Sequence, residues 1–194
     1  MITGFVFLLF TYLVASVPTG PILATLYADV DVTQQGSGNI GATNVNRVLG
    51  KRFGIATLVG DVLKGLIPVI IAPHAFEWFA FPGIVALTAF IGHCWPAYLE
   101  FRGGKGVATA SGVLLGLSPL IALLVAACWM VIFLASKRSS VAAIVATMLL
   151  PLLTLWIEPD IVWVTILLSI GIFVRHKSNI DRIITGQEPP TSVH

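Results

Sequence analysis

The sequence predicts an all-α integral membrane protein of about seven transmembrane helices, N-terminus outside, with one short helix after a Gly-rich cytoplasmic loop. Three observations predict it. Hydrophobic residues make up 57% of the 194 residues and charged residues only 10%, at a mean hydropathy of +0.95, whereas a soluble domain carries roughly 25% charged residues. Apolar runs close to the ~20 residues that a span needs recur along the chain. The basic residues fall on alternate connecting segments.

The apolar runs are 3–28, 53–72, 81–98, 119–136, 141–157 and 161–174. The first lacks a basic n-region and an A-x-A cleavage site, so it is expected to be retained as a helix. Between the third and fourth runs, 106–117 is apolar but about half the length of a span. It predicts a short seventh helix that starts at some depth or sits partly in a cavity, because irregular backbone at membrane depth must be covered by protein or water. Five or six spans, with this segment re-entrant, is the alternative. With seven helices and the N-terminus outside, the inner segments are 29–52, 99–105, 137–140 and 175–194. They hold every one of the eleven Lys and Arg residues except Lys64, the positive-inside pattern. The outer segments carry Glu77, Glu158 and Asp160 but no Lys or Arg, and Trp78, Trp156 and Trp163 read as interface anchors. Residues 1–186 read as one transmembrane helical domain, and 187–194, with Pro189 and Pro190, as a disordered tail. Cys94 and Cys128 read as small buried hydrophobes with no metal spacing and no disulfide framework.

Three inner segments are too specific in composition to be mere connectors. The first, "GSGNIGATNVNRVLGKRFG" (36–54), sets Ser37, Asn39, Thr43, Asn44, Asn46 and Arg47 among glycines. Glycines let backbone approach a ligand, and Asn and Ser supply neutral donors and acceptors. A helix starting near Gly41 puts Thr43 and Arg47 on one face, and Asn44 with Arg47 three apart. The same composition also suits a turn and a helix cap.

The second, "LEFRGGKGVATASG" (99–112), carries glycines and a lysine. A Walker A loop needs G-x-x-x-x-G-K-[ST] between a strand and a helix. Here Lys105 is followed by Gly106 and no strand precedes it. The physics of a phosphate seat survives nonetheless. Gly103, Gly104 and Gly106 stand just before the short helix, whose N-terminus presents unpaired N–H groups and a positive dipole end. Lys105 adds a full charge, Arg102 lies nearby, and Thr109 and Ser111 add hydroxyls. A basic juxtamembrane loop is the plainer reading.

The third, "RHKSNIDRIITGQE" (175–188), follows the last span. A continued helix lines His176, Asn179 and Arg182 along one face. His176 and Asp181, five apart, are rotated about 140° on a regular helix and face different ways. Within the second run, Asp61 and Lys64 are three apart. Charges inside a span are rare and usually paired, so these two read as a structural ion pair beside the site, with direct ligation as the alternative. His93 reads as a satisfied interfacial histidine.

Together these features describe a cytoplasmic site rich in Arg, Lys, His and Asn within a lipid-embedded bundle. It suits an anionic small molecule, phosphate first, beside something lipophilic. Enzyme and organic-anion transporter both fit. Nothing points to nucleic acid, a cofactor, a metal or an obligatory protein partner.

The segments "SGNIGATNVNR" (37–47), "GDVLKG" (60–65), "GHCWPAYLEFRGGKGVATASG" (92–112) and "HKSNIDRIITGQE" (176–188) together resemble the bacterial membrane acyl-phosphate:glycerol-3-phosphate acyltransferases (PlsY-type). The resemblance covers nearly the whole chain, in order. It implies transfer of a fatty acyl group from acyl phosphate to the 1-hydroxyl of glycerol 3-phosphate, giving lysophosphatidic acid and inorganic phosphate in phospholipid synthesis. It also implies a multi-pass protein of the bacterial inner membrane, with its active site facing the cytoplasm and no cofactor.

That chemistry suits the residues. An acyl phosphate is already activated, so positioning and preorganised charge can supply most of the acceleration. Arg47, Lys105 and Arg182 are expected to clamp phosphate, with Lys105 and the 103–106 amides at the centre. Ser37, Asn39, Asn44 and Asn179 are expected to orient the glycerol and the carbonyl, with Thr43 also binding substrate or phosphate and Asp61 and Lys64 in support. His176 is the protein candidate for a base; the alternative is the donor's own phosphate, with His176 as a hydrogen-bonding positioner. A transporter usually carries paired broken helices, and here the unusual helix is single. A phosphoalcohol transferase needs clustered aspartates, and Asp29, Asp31, Asp61, Asp160 and Asp181 are scattered.

Overall fold

A computed structural model describes residues 2–191. Among them the chain forms ten α-helices and no strand: α1 Ile2–Ser16, α2 Thr19–Ala28, α3 Ala42–Leu49, α4 Lys51–Ala75, α5 Phe81–Cys94, α6 Val107–Leu117, α7 Pro119–Ser136, α8 Ser139–Ile157, α9 Val162–Arg175 and α10 Lys177–Ile184. Short 3₁₀ turns cover Ala97–Leu99 and Pro159–Ile161. Three helices, α4, α7 and α8, are individually long and apolar enough to cross a membrane. Counting the bent pairs α1–α2 and α9–α10 as one span each gives five.

The first apolar run, expected as one helix over 3–28, is broken instead. Pro18 has no N–H and biases Val17 away from helical geometry, so α1 stops at Ser16 and α2 departs at 42°. The break frees backbone and side-chain groups that α4 uses. Lys64 Nζ donates to the Val17 carbonyl at 2.9 Å, and Thr19 Oγ1 donates to Asp61 Oδ1 at 3.2 Å. The run 81–98 likewise ends early, at Cys94, because Trp95 precedes Pro96 and leaves the helical region. The last run does not continue straight into α10: the chain bends by 63° at His176.

Helix α4 is the hub. It packs on α2, α3, α5 and α6, while α7, α8 and α9 pack in sequence on the far side. Between α4 and α6 small residues allow close approach, as is usual where helices meet in lipid. A Cβ at Gly112 of α6 would run into the Val62 carbonyl of α4, and one at Gly116 would sit 2.8 Å from Val69. The main core gathers Val69, Val85, Ala89, Phe90, Val113, Leu114, Ile121, Leu150 and Leu168, with Cys94 among them. Leu58, Leu123, Leu152 and Ile170 are among many large apolar side chains left exposed, as a lipid-facing perimeter requires.

The tail expected to be disordered from Gln187 is held in place through Thr191. Thr191 N donates to the Lys137 carbonyl at 2.8 Å, Ser139 N donates to Thr191 Oγ1 at 3.0 Å, and Arg138 Nε donates to the Glu188 carbonyl at 2.8 Å. Backbone groups of Lys137 and Ser139 and the Arg138 side chain, all in the α7–α8 turn, thus hold a segment whose low apolar content suggested disorder. Residues 192–194 of that tail lie outside the described residues.

Candidate active site

One cavity of about 960 Å³ gathers the polar segments and opens into an apolar trough. Its polar end is lined by Ser37, Asn39, Thr43, Asn44, Arg47, Lys105, Gly106, His176, Asn179, Arg182 and Glu188. Its apolar end lies among α6, α7 and α8, lined by Leu114, Ala122, Val125, Ala126, Trp129, Ala143, Ala146 and Leu150. From Ser140 to Leu150 the α8 wall runs about 15 Å at the usual helical rise. A smaller cavity of about 430 Å³ shares Ser37, Asn39, Lys105 and Arg182 and adds Gly103, Arg175 and Lys177.

The segment 99–106 forms a tight loop ahead of α6. Glu100 and Phe101 take left-handed backbone, and Gly106 caps α6 at φ +80. A side chain at Gly106 would meet the Phe90 ring and Cys94 Sγ, and one at Gly104 would meet the His93 ring. Gly103 lines the smaller cavity and Gly106 the larger, whereas Gly104 lines neither and is the packing contact on His93. The backbone N–H groups of Lys105 and Gly106 make no hydrogen bond among the described residues, so they stand ready for an anion. Burial pushes the Lys105 ammonium down to about 8; Glu188 pulls it back up, and Arg182, Arg175 and Arg47 push it further down. Neither Lys105 nor Arg47 forms a salt bridge among the described residues.

Around α3 the expected polar residues divide into two kinds. Ser37, Thr43 and Arg47 line the cavity. Asn44 ties down the loop before its helix: Oδ1 accepts from Ser37 N at 2.8 Å, and Nδ2 donates to the carbonyls of Val32 and Gln35, both at 3.0 Å. It is 2% exposed, holds Ser37 in place and also lines the cavity. Asn39 Oδ1 accepts from Gly41 N at 2.9 Å, which fixes the entry to α3 and leaves the amide Nδ2 for the cavity that it lines.

At the α9–α10 bend, His176 is 2% exposed and its Nδ1 lies 2.8 Å from the Ile172 carbonyl. That contact assigns the proton to Nδ1 and leaves Nε2 an acceptor. Burial pushes His176 down to about 4, against the pull of the Ile172 carbonyl, so the ring is neutral at neutral pH. His176 lines the larger cavity and Asp181 the smaller, and no hydrogen bond joins them among the described residues. Asn179 Nδ2 donates to Glu188 Oε1 at 2.7 Å, while its buried Oδ1 has no partner. Arg182 Nε donates to Glu188 Oε2 at 2.6 Å.

Asp61 and Lys64 form a buried pair at 2.8 Å, and Asp61 lines the cavity. His93, expected to be satisfied, is 3% exposed with Nδ1 unpartnered, 3.6 Å from Asp61 Oδ1. Sequence reasoning missed Glu188, Ser140 and Arg175. Glu188 lay inside a motif singled out for its other members, and its place in a supposed tail hid it. Ser140 reads as an ordinary loop residue; Arg175 opens the third segment but carries no expected role there, and both come to the site only through the fold.

The arrangement sets three cations at one end of a cavity and an apolar trough at the other, inside a bundle of apolar helices. Residues 5–186 match the family described as glycerol-3-phosphate acyltransferase, and the chain belongs to that family. A glycerol-3-phosphate acyltransferase of Syntrophotalea carbinolica is 44% identical over 97% of each chain, and one of Neisseria meningitidis is 42% identical over 92% of each. Crystal structures of PlsY (YgiH), an integral membrane glycerol 3-phosphate acyltransferase, share the fold at 37% identity. Its glycerol 3-phosphate form superposes with a TM-score of 0.93, covering 98% of this chain and 96% of that one. Its lysophosphatidic acid form gives 0.91, covering 97% and 95%.

Proposed function

We propose that this protein transfers a fatty acyl group from acyl phosphate to the 1-hydroxyl of glycerol 3-phosphate, releasing lysophosphatidic acid and inorganic phosphate. The observation that carries the reading is the continuity of one cavity from the Arg47, Lys105 and Arg182 end to the α6–α7–α8 trough. A polar phosphorylated acceptor and an amphiphilic donor can meet there. The cations and the free amides of Lys105 and Gly106 hold phosphate. Ser37, Asn39, Thr43 and Asn179 orient the reacting groups, and the acyl chain lies in the trough. The acceptor hydroxyl attacks the acyl carbonyl, a new ester C–O bond forms, and the C–O bond to phosphate breaks. The departing phosphate takes the hydroxyl proton, and His176 Nε2 accepts a hydrogen bond that aligns that hydroxyl. Asp61 and Lys64 hold the α1–α2 break against α4, beside the site.

In this reading residues 1–186 form one transmembrane domain in the bacterial inner membrane. It has seven passes: the broken α1–α2, then α4, α5, the short α6, α7, α8 and α9. The N-terminus lies outside, and the positive-inside pattern puts the active site at the cytoplasmic face. Membrane lipid surrounds the chain, and the reaction needs no second protein. The test is purified protein in detergent with acyl phosphate and glycerol 3-phosphate. Stoichiometric release of phosphate and lysophosphatidic acid without added metal is expected. Intact donor after prolonged incubation with well-folded protein overturns the reading and returns a transporter to consideration.

A further inference from the structure

The two carbonyls that precede Lys105 are held by a single side chain. Arg175, at the end of α9, donates through Nε to the Gly104 carbonyl at 2.9 Å and through Nη2 to the Gly103 carbonyl at 2.6 Å. Its guanidinium carbon lies 5.5 Å from the centroid of the Trp95 ring, a cation–π contact that fixes the plane of the fork. On its other side the loop is tied to α5: Gly104 N donates to the His93 carbonyl at 3.2 Å, and the His93 ring fills the space where a Gly104 side chain would lie. Arg175 does not line the larger cavity. Two of its donors are committed to the loop.

A glycine-rich anion seat has an inherent weakness. Its peptide groups can rotate and turn carbonyl oxygens toward the anion that the N–H groups should bind. We infer that Arg175 is a positioning residue for the acyl transfer: its fork draws the Gly103 and Gly104 oxygens to the α9 side and so fixes Lys105 and the following amides toward the shared edge of the two cavities. The planar, bidentate geometry is the property used, and a lysine cannot reproduce it. The inference rests on the acyltransferase reading for its catalytic consequence, but the clamp itself can be tested without activity.

The experiment compares wild type, Arg175→Lys and Arg175→Ala, each in detergent. Amide hydrogen exchange reads the clamp directly. In Arg175→Ala the Gly104 amide, bonded to the His93 carbonyl, is expected to exchange at least about tenfold faster, and unchanged exchange there overturns the clamp whatever the activity. Rate against pH reads the consequence. Lys105 is faced by Arg47 from α3, Arg175 from α9, Arg182 from α10 and Glu188 from the tail. Both variants are expected to lose about 10²-fold in kcat, the scale of a misplaced catalytic group. The alkaline limb rises in Arg175→Ala, which removes a positive charge near Lys105, and stays in place in Arg175→Lys. Wild-type turnover in Arg175→Lys shows that charge alone suffices and overturns the inference. So does a loss of turnover in Arg175→Ala with an unmoved limb and a lowered Tm, which is a structural role only. A silent wild type sinks the acyltransferase reading, and the exchange data still decide the clamp.

Discussion

Glu188 and Arg182 are joined at 2.6 Å, Oε2 to Nε, and through this pair the tail closes onto the cation end of the cavity. The other carboxylate oxygen accepts from Ser140 Oγ at 2.5 Å and from Asn179 Nδ2 at 2.7 Å. One carboxylate therefore ties α8, α10 and the tail around the site. Arg182 is 38% exposed, so its pair contributes least, and the two buried hydrogen bonds carry most of the stabilisation. Glu188→Gln keeps the shape but offers only one acceptor oxygen to three donors. It is expected to cost about 1.5–3 kcal/mol and to lower Tm in detergent. A Tm unchanged from wild type refutes the tie.

The same group sets an acid limit. Burial raises the Glu188 carboxyl, but the hydrogen bonds from Ser140, Asn179 and Arg182 together outweigh it and hold the group below its ordinary 4.5. A carboxyl lowered in the folded state contributes stability above its unfolded value and loses it as pH falls through the folded one. Tm is therefore expected to stay level from neutrality down to about 4.5 and to fall below it, and Glu188→Gln is expected to fall less steeply. Thermal scans of both proteins over acid pH check this.

Lys105 sets the alkaline limit. Its ammonium is lowered to about 8 chiefly by burial, and in the proposed reaction it must be charged to hold phosphate. The rate is expected to fall as pH rises through about 8, with no comparable fall in folded protein. Lys105→Ala is expected to lose about 10²–10³-fold in turnover, the scale seen when one preorganised charge-stabilising donor is removed. Near-normal activity in that variant removes Lys105 from the centre.

Much of this was legible in the sequence, and what was not follows a rule. Hydropathy placed α7 at Pro119–Ser136, and the short α6 was expected over 106–117 and found over Val107–Leu117. The four motif segments hold most of the residues that line the polar end. Hydropathy could not see the break at Pro18, because Val17 and Pro18 are apolar and the reason for the break is a missing donor. Glu188 was hidden for the converse reason: a polar, proline-bearing tail reads as disorder until Lys137, Arg138 and Ser139 are seen to hold it. Asn44 has the right type and place for a ligand contact, and only the fold reveals that both of its N–H donors and one lone pair of its oxygen tie down the loop before its helix. Residue type reports which bonds a side chain can make, and the fold decides which are used.

The trough makes a size prediction. Ala126 of α7 and Ala146 of α8 both line its apolar wall, and Ala146 is 3% exposed. Ala146→Leu adds bulk to a closely packed wall, at a cost of about 1–3 kcal/mol if it must repack. Its main effect is expected on the donor: kcat/KM falls for long-chain acyl phosphates and holds for short ones. Equal loss across chain lengths shows that the acyl chain runs elsewhere.

In the proposed reaction the departing phosphate, and not His176, takes the proton. The His176 Nδ1 proton is committed to the Ile172 carbonyl, and burial holds the ring's titration down to about 4. Between pH 6 and 8, roughly, the ring stays neutral and shows no ionisation of its own. It can accept a hydrogen bond from the acceptor hydroxyl through Nε2, yet it is a weak base for removing that proton. The donor phosphate becomes a much stronger base as its bond to the acyl carbon breaks. His176→Ala is therefore expected to slow turnover by about 10²-fold, the lower end for a group acting on a transferred proton. The shape of the pH–rate profile should stay that of wild type, including the fall near 8 assigned to Lys105. The check is kcat measured across pH for both proteins at saturating donor. If the wild-type profile contains an ionisation near neutrality that vanishes in His176→Ala, the histidine is the base and the phosphate is not.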